Sequence, residues 1–181
     1  ELGGIATYIR GEEVGLNVRE PVQDVARVLS RYVDGIMIRT FAHRNVTELA
    51  KHATVPVING LSDACHPCQA LADLLTIHEH LGDIKGLKIV FVGDGNNVAR
   101  SLARACILAG ACFVLAAPNG YQFTADDVAG FGAFWGTQVQ QTSDVKTAVI
   151  GADVLYADVW TSMGQEAERD RRLRDFHGYC I

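Results

Sequence analysis

Short apolar runs separated by stretches of helical periodicity recur along the whole chain. Gly35-Ile36-Met37-Ile38 is one such run, closed by Arg39-Thr40, and Val55-Pro56-Val57-Ile58 is another, closed by Asn59-Gly60. Before them, Val22, Val25, Ala26, Val28 and Leu29 recur along one helical face, with Asp24, Arg27 and Arg31 on the other. The pattern predicts a strand over 5–9, a helix over 20–33, a strand over 35–38, a small helix over 46–53 and a strand over 55–58. A helix over 67–81 follows, opened by Pro67 in the first turn, where a missing N–H costs nothing. After Gly82 the pattern restarts: strand 87–92, helix 98–109, strand 112–116 and a helix over 125–135 weakened by two glycines. A short strand over 138–141, a helical turn over 145–150, a strand over 154–157 ending at Asp158 and a charged helix over 165–176 complete it. Strands alternating with helices imply parallel sheets covered on both faces. The expected class is α/β, with two doubly wound, Rossmann-like domains over 1–82 and 83–181, joined by a linking helix and both incomplete.

Composition narrows this only a little. The 181 residues are 49% hydrophobic and 20% charged, and the formal net charge of −5 argues against nucleic-acid or membrane-surface partners. No apolar run approaches the roughly 18 residues of a membrane span, and no stretch has the form of a secretory signal. Five cysteines, an odd number, suit reduced thiols and a cytoplasmic setting. The chain starts at Glu1 and stops at Tyr179-Cys180-Ile181, which reads as a strand just beginning, so a fragment is expected.

Ligands in such sheets sit beyond the carboxyl ends of the strands. That rule collects Arg39, Asn59 and His66 at one mouth, and Asn97 with Asp158 at another. His66 and Gln69, three apart, share a side of the first turn of the 67–81 helix, whose N-terminus favours an anion. An imidazole and an amide beside an anion pocket suit a small substrate with a phosphate and a polarisable carbonyl. Cys65-His66-Pro67-Cys68 has the spacing of a thioredoxin-like redox site, but no thioredoxin-like strand order surrounds it. A zinc site with His78 and His80 fails on geometry, since three helical turns separate them from the cysteines by about 18 Å. No metal site is expected. Gly93-Asp94-Gly95-Asn96-Asn97 opens a helix after a strand, as a dinucleotide fingerprint does, but Val98 stands where the third glycine belongs. Its asparagines instead suit the head group of an amino acid. The stretch from Asp158 to Glu166 offers Asp158 for an ammonium, with Ser162 and the backbone near Gly164 as partners. Taken alone it would be a helix start, with Ser162 capping and Glu166 favouring the dipole. Arg39 alone would be a surface ion-pair residue.

Four of these stretches together are recognisable: Asn59-Gly60-Leu61-Ser62-Asp63, His66-Pro67-Cys68-Gln69 with Leu71-Ala72-Asp73, Gly93-Asp94-Gly95-Asn96-Asn97, and Asp158-x-Trp160-x-Ser162-Met163-Gly164-Gln165-Glu166. In order and approximate spacing they resemble the ornithine branch of the aspartate/ornithine carbamoyltransferase family, over essentially the whole chain. The Ser-Met-Gly stretch is the ornithine-specific element. The resemblance implies carbamoyl transfer from carbamoyl phosphate to the δ-amine of L-ornithine, giving citrulline and phosphate in arginine metabolism, with no cofactor. Arg39 and His66 would act on the carbonyl oxygen and Gln69 on the amide nitrogen of carbamoyl phosphate, with Leu61 giving backbone contacts. Asn97, Asp158, Ser162 and Met163 would hold the ornithine head group. A homo-oligomer, a trimer or a multiple of it, is implied.

The family's Ser-Thr-Arg-Thr-Arg and His-Cys-Leu-Pro motifs do not occur in these 181 residues, so the chain by itself is expected not to catalyse. Gly15 stands at the position nearest to the family's cross-subunit contact. The alternatives are a carbamoyltransferase for another amine such as putrescine and, in a different class, a nucleotide-binding Rossmann oxidoreductase resting on Gly93–Asn97 alone.

Overall fold

The computed structural model describes residues 3–161 and 166–180, which divide into two compact units, Glu1–Ala64 and Cys65–Ile181. In the first unit, α1 (Gly11–Val14) and α2 (Val22–Leu29) precede β1 (Ile36–Arg39), α3 (His43–His52) and β2 (Val57–Leu61). The two strands pair in parallel, Ile36 opposite Val57. One face of this ribbon carries Ile36, Ile38 and Val57, which pack with Val22 and Ala26 of α2 and Leu49 of α3. Of the helical face read from the sequence, Val22, Val25 and Ala26 are buried, whereas Val28 is 51% exposed.

In the second unit, α4 (Pro67–Leu81) leads to β3 (Lys88–Val92), α5 (Asn97–Ala109) and β4 (Cys112–Ala116). Then come α6 (Ala125–Phe131), β5 (Val139–Thr142), α7 (Val145–Ala148), β6 (Val154–Ala157) and α8 (Arg169–Asp175). The four strands form one parallel sheet in the order β5-β4-β3-β6. Central β3 reads Lys-Ile-Val-Phe-Val because both of its faces are covered. Ile89 and Phe91 join Ala99, Leu102 and Cys106 of α5, Phe131 of α6 and Phe176, while Val90 and Val92 meet Ala148 of α7. Phe91, Phe113 and Phe176 are fully buried, and truncating any one to alanine would cost about 3–5 kcal/mol. Helix α4 packs along α5, which is why it belongs to the second compact unit although the sequence pattern restarts only after it.

Several boundaries differ from the sequence pattern, each for a local reason. Residues 5–9 do not form the expected strand; they are irregular, and Ile5 is almost wholly exposed. β2 begins later than 55 and runs through Asn59 and Gly60, since Pro56 has no N–H and contributes only its carbonyl, which accepts from Ile36 N–H at 2.9 Å. α3 starts three residues early because the Asp63 carboxylate accepts from the His43 N–H at 3.0 Å and caps it from outside the helix. The weak helix ends at Phe131, where Gly132 takes a left-handed φ of 56° and a 3₁₀ turn follows. The charged helix is a 3₁₀ turn, Glu166–Glu168, followed by α8. No helix among the described residues is long and apolar enough to cross a membrane.

Candidate active site

Two groups of polar residues stand at strand ends, one in each unit. In the first, the register shifts between Ile38 and Arg39, so that Arg39 pairs with Leu61 and Gly60 is accommodated as an extra residue. A side chain at Gly60 would press on Met37 and on the Ile38 carbonyl, which explains the glycine. The result places exposed Arg39 beside the Leu61 backbone, whose carbonyl accepts from Thr40 N–H at 3.0 Å. Just beyond, fully buried Ser62 meets His43 Nδ1 at 2.8 Å and accepts from Asn59 Nδ2 at 3.4 Å. Asn59-Gly60-Leu61-Ser62-Asp63 is therefore a brace that fixes the strand end and the start of α3.

The second group lies where the strand order of the sheet reverses. β4 and β5 extend the sheet on one side of β3, and β6 returns to the other, so the position at which such sheets form their ligand crevice lies beyond the ends of β3 and β6. Asp158 leaves β6 there, and Asn96 leaves β3. Asn96 uses both ends of its amide: Oδ1 accepts from Val98 N–H at 2.9 Å and Ala99 N–H at 3.1 Å, and Nδ2 donates to Asp158 Oδ2 at 3.1 Å. One side chain thus caps α5 and bridges the crevice. Gly95 makes the preceding turn possible, since a Cβ there would lie 2.9 Å from the backbone of Gln122 and of Phe123. Val98, occupying the third glycine position of a dinucleotide fingerprint, leaves this loop without that motif.

Helix α4 brings His66 and Gln69 to the same unit. His66 is the N-cap, and its own N–H donates to Ser101 Oγ at 2.8 Å. Buried Ser101 in turn donates to the Asn97 carbonyl at 2.7 Å, so one hydroxyl ties the start of α4 to the first turn of α5. One turn along α4, Gln69 Nε2 donates to Asp73 Oδ1 at 2.8 Å. Burial raises the Asp73 pKa, against the lowering effect of hydrogen bonds from Gln69 and Tyr156; His66 and Asp158 act on it with opposite signs. Tyr156 of β6, stacked on Phe91, is pushed up to about 12 by burial and by the charges of Asp73 and Asp158. It therefore stays a phenol.

Trp160 lies beyond Asp158, and its carbonyl accepts from the Arg172 guanidinium at 3.2 Å. Arg172 is almost wholly buried, pairs with Asp94 at 2.6 Å and Glu168 at 3.1 Å, and lies over the Tyr121 ring. Burial works against its charge, but the two carboxylates outweigh that and hold its pKa above the ordinary value. Ser162 and Met163, expected to hold an amino-acid head group, lie outside the described residues. No cluster of metal-binding side chains occurs among those that are described.

The structure thus brings His66, Gln69, Asp158 and the asparagine pair to one sheet end in the second unit, and Arg39 and Leu61 to one strand end in the first. Sequence reasoning did not single out Asn96, Ser101, Asp73 or Tyr156 for these contacts. The signals were faint: Gln69 and Asp73, like Asn97 and Ser101, stand four apart on a helix.

Comparison with known proteins follows the same division. The family described as aspartate/ornithine carbamoyltransferase matches through its carbamoyl-P binding domain over residues 1–79 and its Asp/Orn binding domain over residues 85–181. The chain is 52% identical over 180 residues to an ornithine carbamoyltransferase of Thermus thermophilus, covering 99% of the chain and 58% of that protein. It is 50% identical over 184 residues to that of Bacillus subtilis, covering 100% and 58%. Among solved structures, ornithine carbamoyltransferase from Pyrococcus furiosus superposes with a TM-score of 0.88 at 49% identity, over 99% of this chain and 58% of that one. The chain therefore spans somewhat more than half the length of the relatives it matches.

Proposed function

The chain belongs to the aspartate/ornithine carbamoyltransferase family, and from that premise we propose that it is part of an enzyme that carbamoylates the δ-amine of L-ornithine. The observation that carries this reading is the match of both family domains, in order, over nearly the whole chain. Arg39 and His66 are assigned to the carbonyl oxygen of carbamoyl phosphate, Gln69 to its amide nitrogen and Leu61 to backbone contacts. Asn97, Asp158, Ser162 and Met163 are assigned to the α-carboxylate and α-ammonium of ornithine. The crevice bridged by Asn96 and Asp158 supports the second assignment, because it is where open α/β sheets take their ligands.

In this mechanism the neutral δ-amine attacks the carbonyl carbon and forms a tetrahedral oxyanion, which cationic and hydrogen-bonding groups stabilise. The bond from carbon to the phosphate oxygen then breaks, phosphate takes the electron pair, and the nitrogen loses a proton to leave citrulline. No metal or organic cofactor has a role. We place the enzyme in the cytoplasm, where an odd number of cysteines is kept reduced, and assign it the trimeric state implied by the resemblance.

The test is a phosphate-release assay on the full-length gene product with carbamoyl phosphate and either ornithine or putrescine, which lacks the α-carboxylate, with citrulline identified as the product from ornithine. A site built to pair a polar group discriminates strongly against a ligand without it. Citrulline formation with a strong preference for ornithine supports the proposal, and equal specificity constants would overturn the head-group assignment. Light scattering tests the trimer.

A further inference from the structure

We infer that Asp73 is a positioning residue that sets which way round the Gln69 amide stands, so that Gln69 offers its carbonyl oxygen to the amide nitrogen of the carbamoyl group. The inference deepens the assignment of Gln69 made above and rests on it. A primary amide has a donor end and an acceptor end of nearly equal size, and its neighbours decide which end faces a ligand. Gln69 Nε2 lies 2.8 Å from Asp73 Oδ1. An ionised carboxylate only accepts hydrogen bonds, so the –NH₂ end must face Asp73 and Oε1 must face away. The group presented is then an acceptor, and the carbamoyl –NH₂ is a donor. Reversed, the amide would set its own –NH₂ against that of the substrate.

Asp73 is itself held in place. It lies one helical turn from Gln69 on α4, so the pair is in register without help from any loop. Its Oδ2 is buried, and the Tyr156 hydroxyl on β6 lies close enough to the carboxylate to lower its pKa. That hydroxyl keeps its proton, so it meets the carboxylate as a donor. Of the other described residues that act on Asp73, His66 and Asp158 do so through charge, and the Cys106 thiol is pushed up to about 12 by burial and stays neutral.

The readout is discrimination between carbamoyl phosphate and acetyl phosphate, in which a methyl group replaces the –NH₂. Dissociation constants for both, and for inorganic phosphate, are measured on the full-length enzyme and on Asp73→Asn, Asp73→Glu and Gln69→Leu. In Asp73→Asn the new side chain can donate or accept, so the Gln69 amide loses its fixed sense. The preference for carbamoyl over acetyl phosphate should fall about tenfold, the worth of one hydrogen bond, while phosphate affinity stays unchanged. Asp73→Glu keeps an acceptor-only partner and should restore most of the preference. An unchanged preference in Asp73→Asn, alongside a loss in Gln69→Leu, would overturn the role of Asp73 alone. An unchanged preference in Gln69→Leu would overturn the Gln69 assignment itself. Independently of any variant, neutron diffraction of the wild-type enzyme with phosphonoacetamide should show the Gln69 deuterons pointing at Asp73. Deuterons pointing at the ligand would refute the inference.

Discussion

A carboxylate taken partly out of water, as Asp73 is, binds its proton more tightly in the folded chain than in the unfolded one. Such a group contributes stability that is fully present below the unfolded value of 3.8 and is lost as pH rises through the raised folded value. Asp73→Asn has no such proton. The stability of the wild type relative to this variant should therefore fall as pH rises through that window and level off above it, in urea titrations at a series of pH values. A difference that is constant, or that moves in favour of the wild type, would contradict the burial argument. His66 is tested by turnover instead. If it donates to the oxyanion, His66→Ala in the full-length enzyme should raise the barrier by about 2.7–4 kcal/mol, a loss of about 10²–10³ in kcat. Its backbone N–H, bonded to Ser101, is unaffected by the change, so a fall in turnover without a fall in melting temperature would separate chemistry from structure. Near-wild-type turnover would remove His66 from the mechanism.

At the scale of elements, the strands and long helices were legible because their burial is periodic. β4 and β6 fall where the apolar runs fall, and α4 runs from its proline to the residue before Gly82. What the pattern could not carry was any cap supplied from a distance. The start of α3 depends on Asp63, twenty residues on, and the bridge over the crevice depends on Asn96 and Asp158, which are 62 apart. Nothing local marks such partners. Arg172 is the strongest case, since a basic residue on a charged helix looks like solvent-facing surface, yet its guanidinium joins Asp94, Glu168 and the Trp160 carbonyl. Losing one partner of a buried pair costs more than losing both, because the survivor stays charged and unsolvated. Arg172→Met should lower unfolding free energy by about 3–5 kcal/mol, and Asp94→Leu combined with Arg172→Met should recover most of it. Chemical denaturation of the two variants decides the matter, and equal losses in both would show that the pair does not act as a unit.

For the whole molecule, the α/β class and the family were readable because four short motifs kept their order, while the roles within each motif were less so. The sequence collects Asn97 with Asp158 at one mouth, and in the structure the neighbouring Asn96 donates to Asp158 while its amide oxygen caps the start of α5. The first unit shows the limit of periodicity from the other side. Met37 and Ile58 lie opposite one another on the outer face of the ribbon and are largely exposed, so an apolar run there does not by itself mean burial on both faces.

The order in which the sheet is strung has a consequence for synthesis. β3, β4 and β5 leave the ribosome first, and the strand that belongs beside β3 comes last, after α7. A nascent chain that has emerged only as far as Asp144 carries β3 as a bare edge, with apolar side chains on both faces and a row of unmatched peptide groups. Such an edge invites pairing with another chain. The core is also unfinished, because Phe176 has yet to arrive. Protection from protease in ribosome-bound chains of increasing length should therefore appear in one step, once residues through Phe176 are outside. Protection already present at Asp144 would mean that three strands suffice, and that the last one is added to a finished unit.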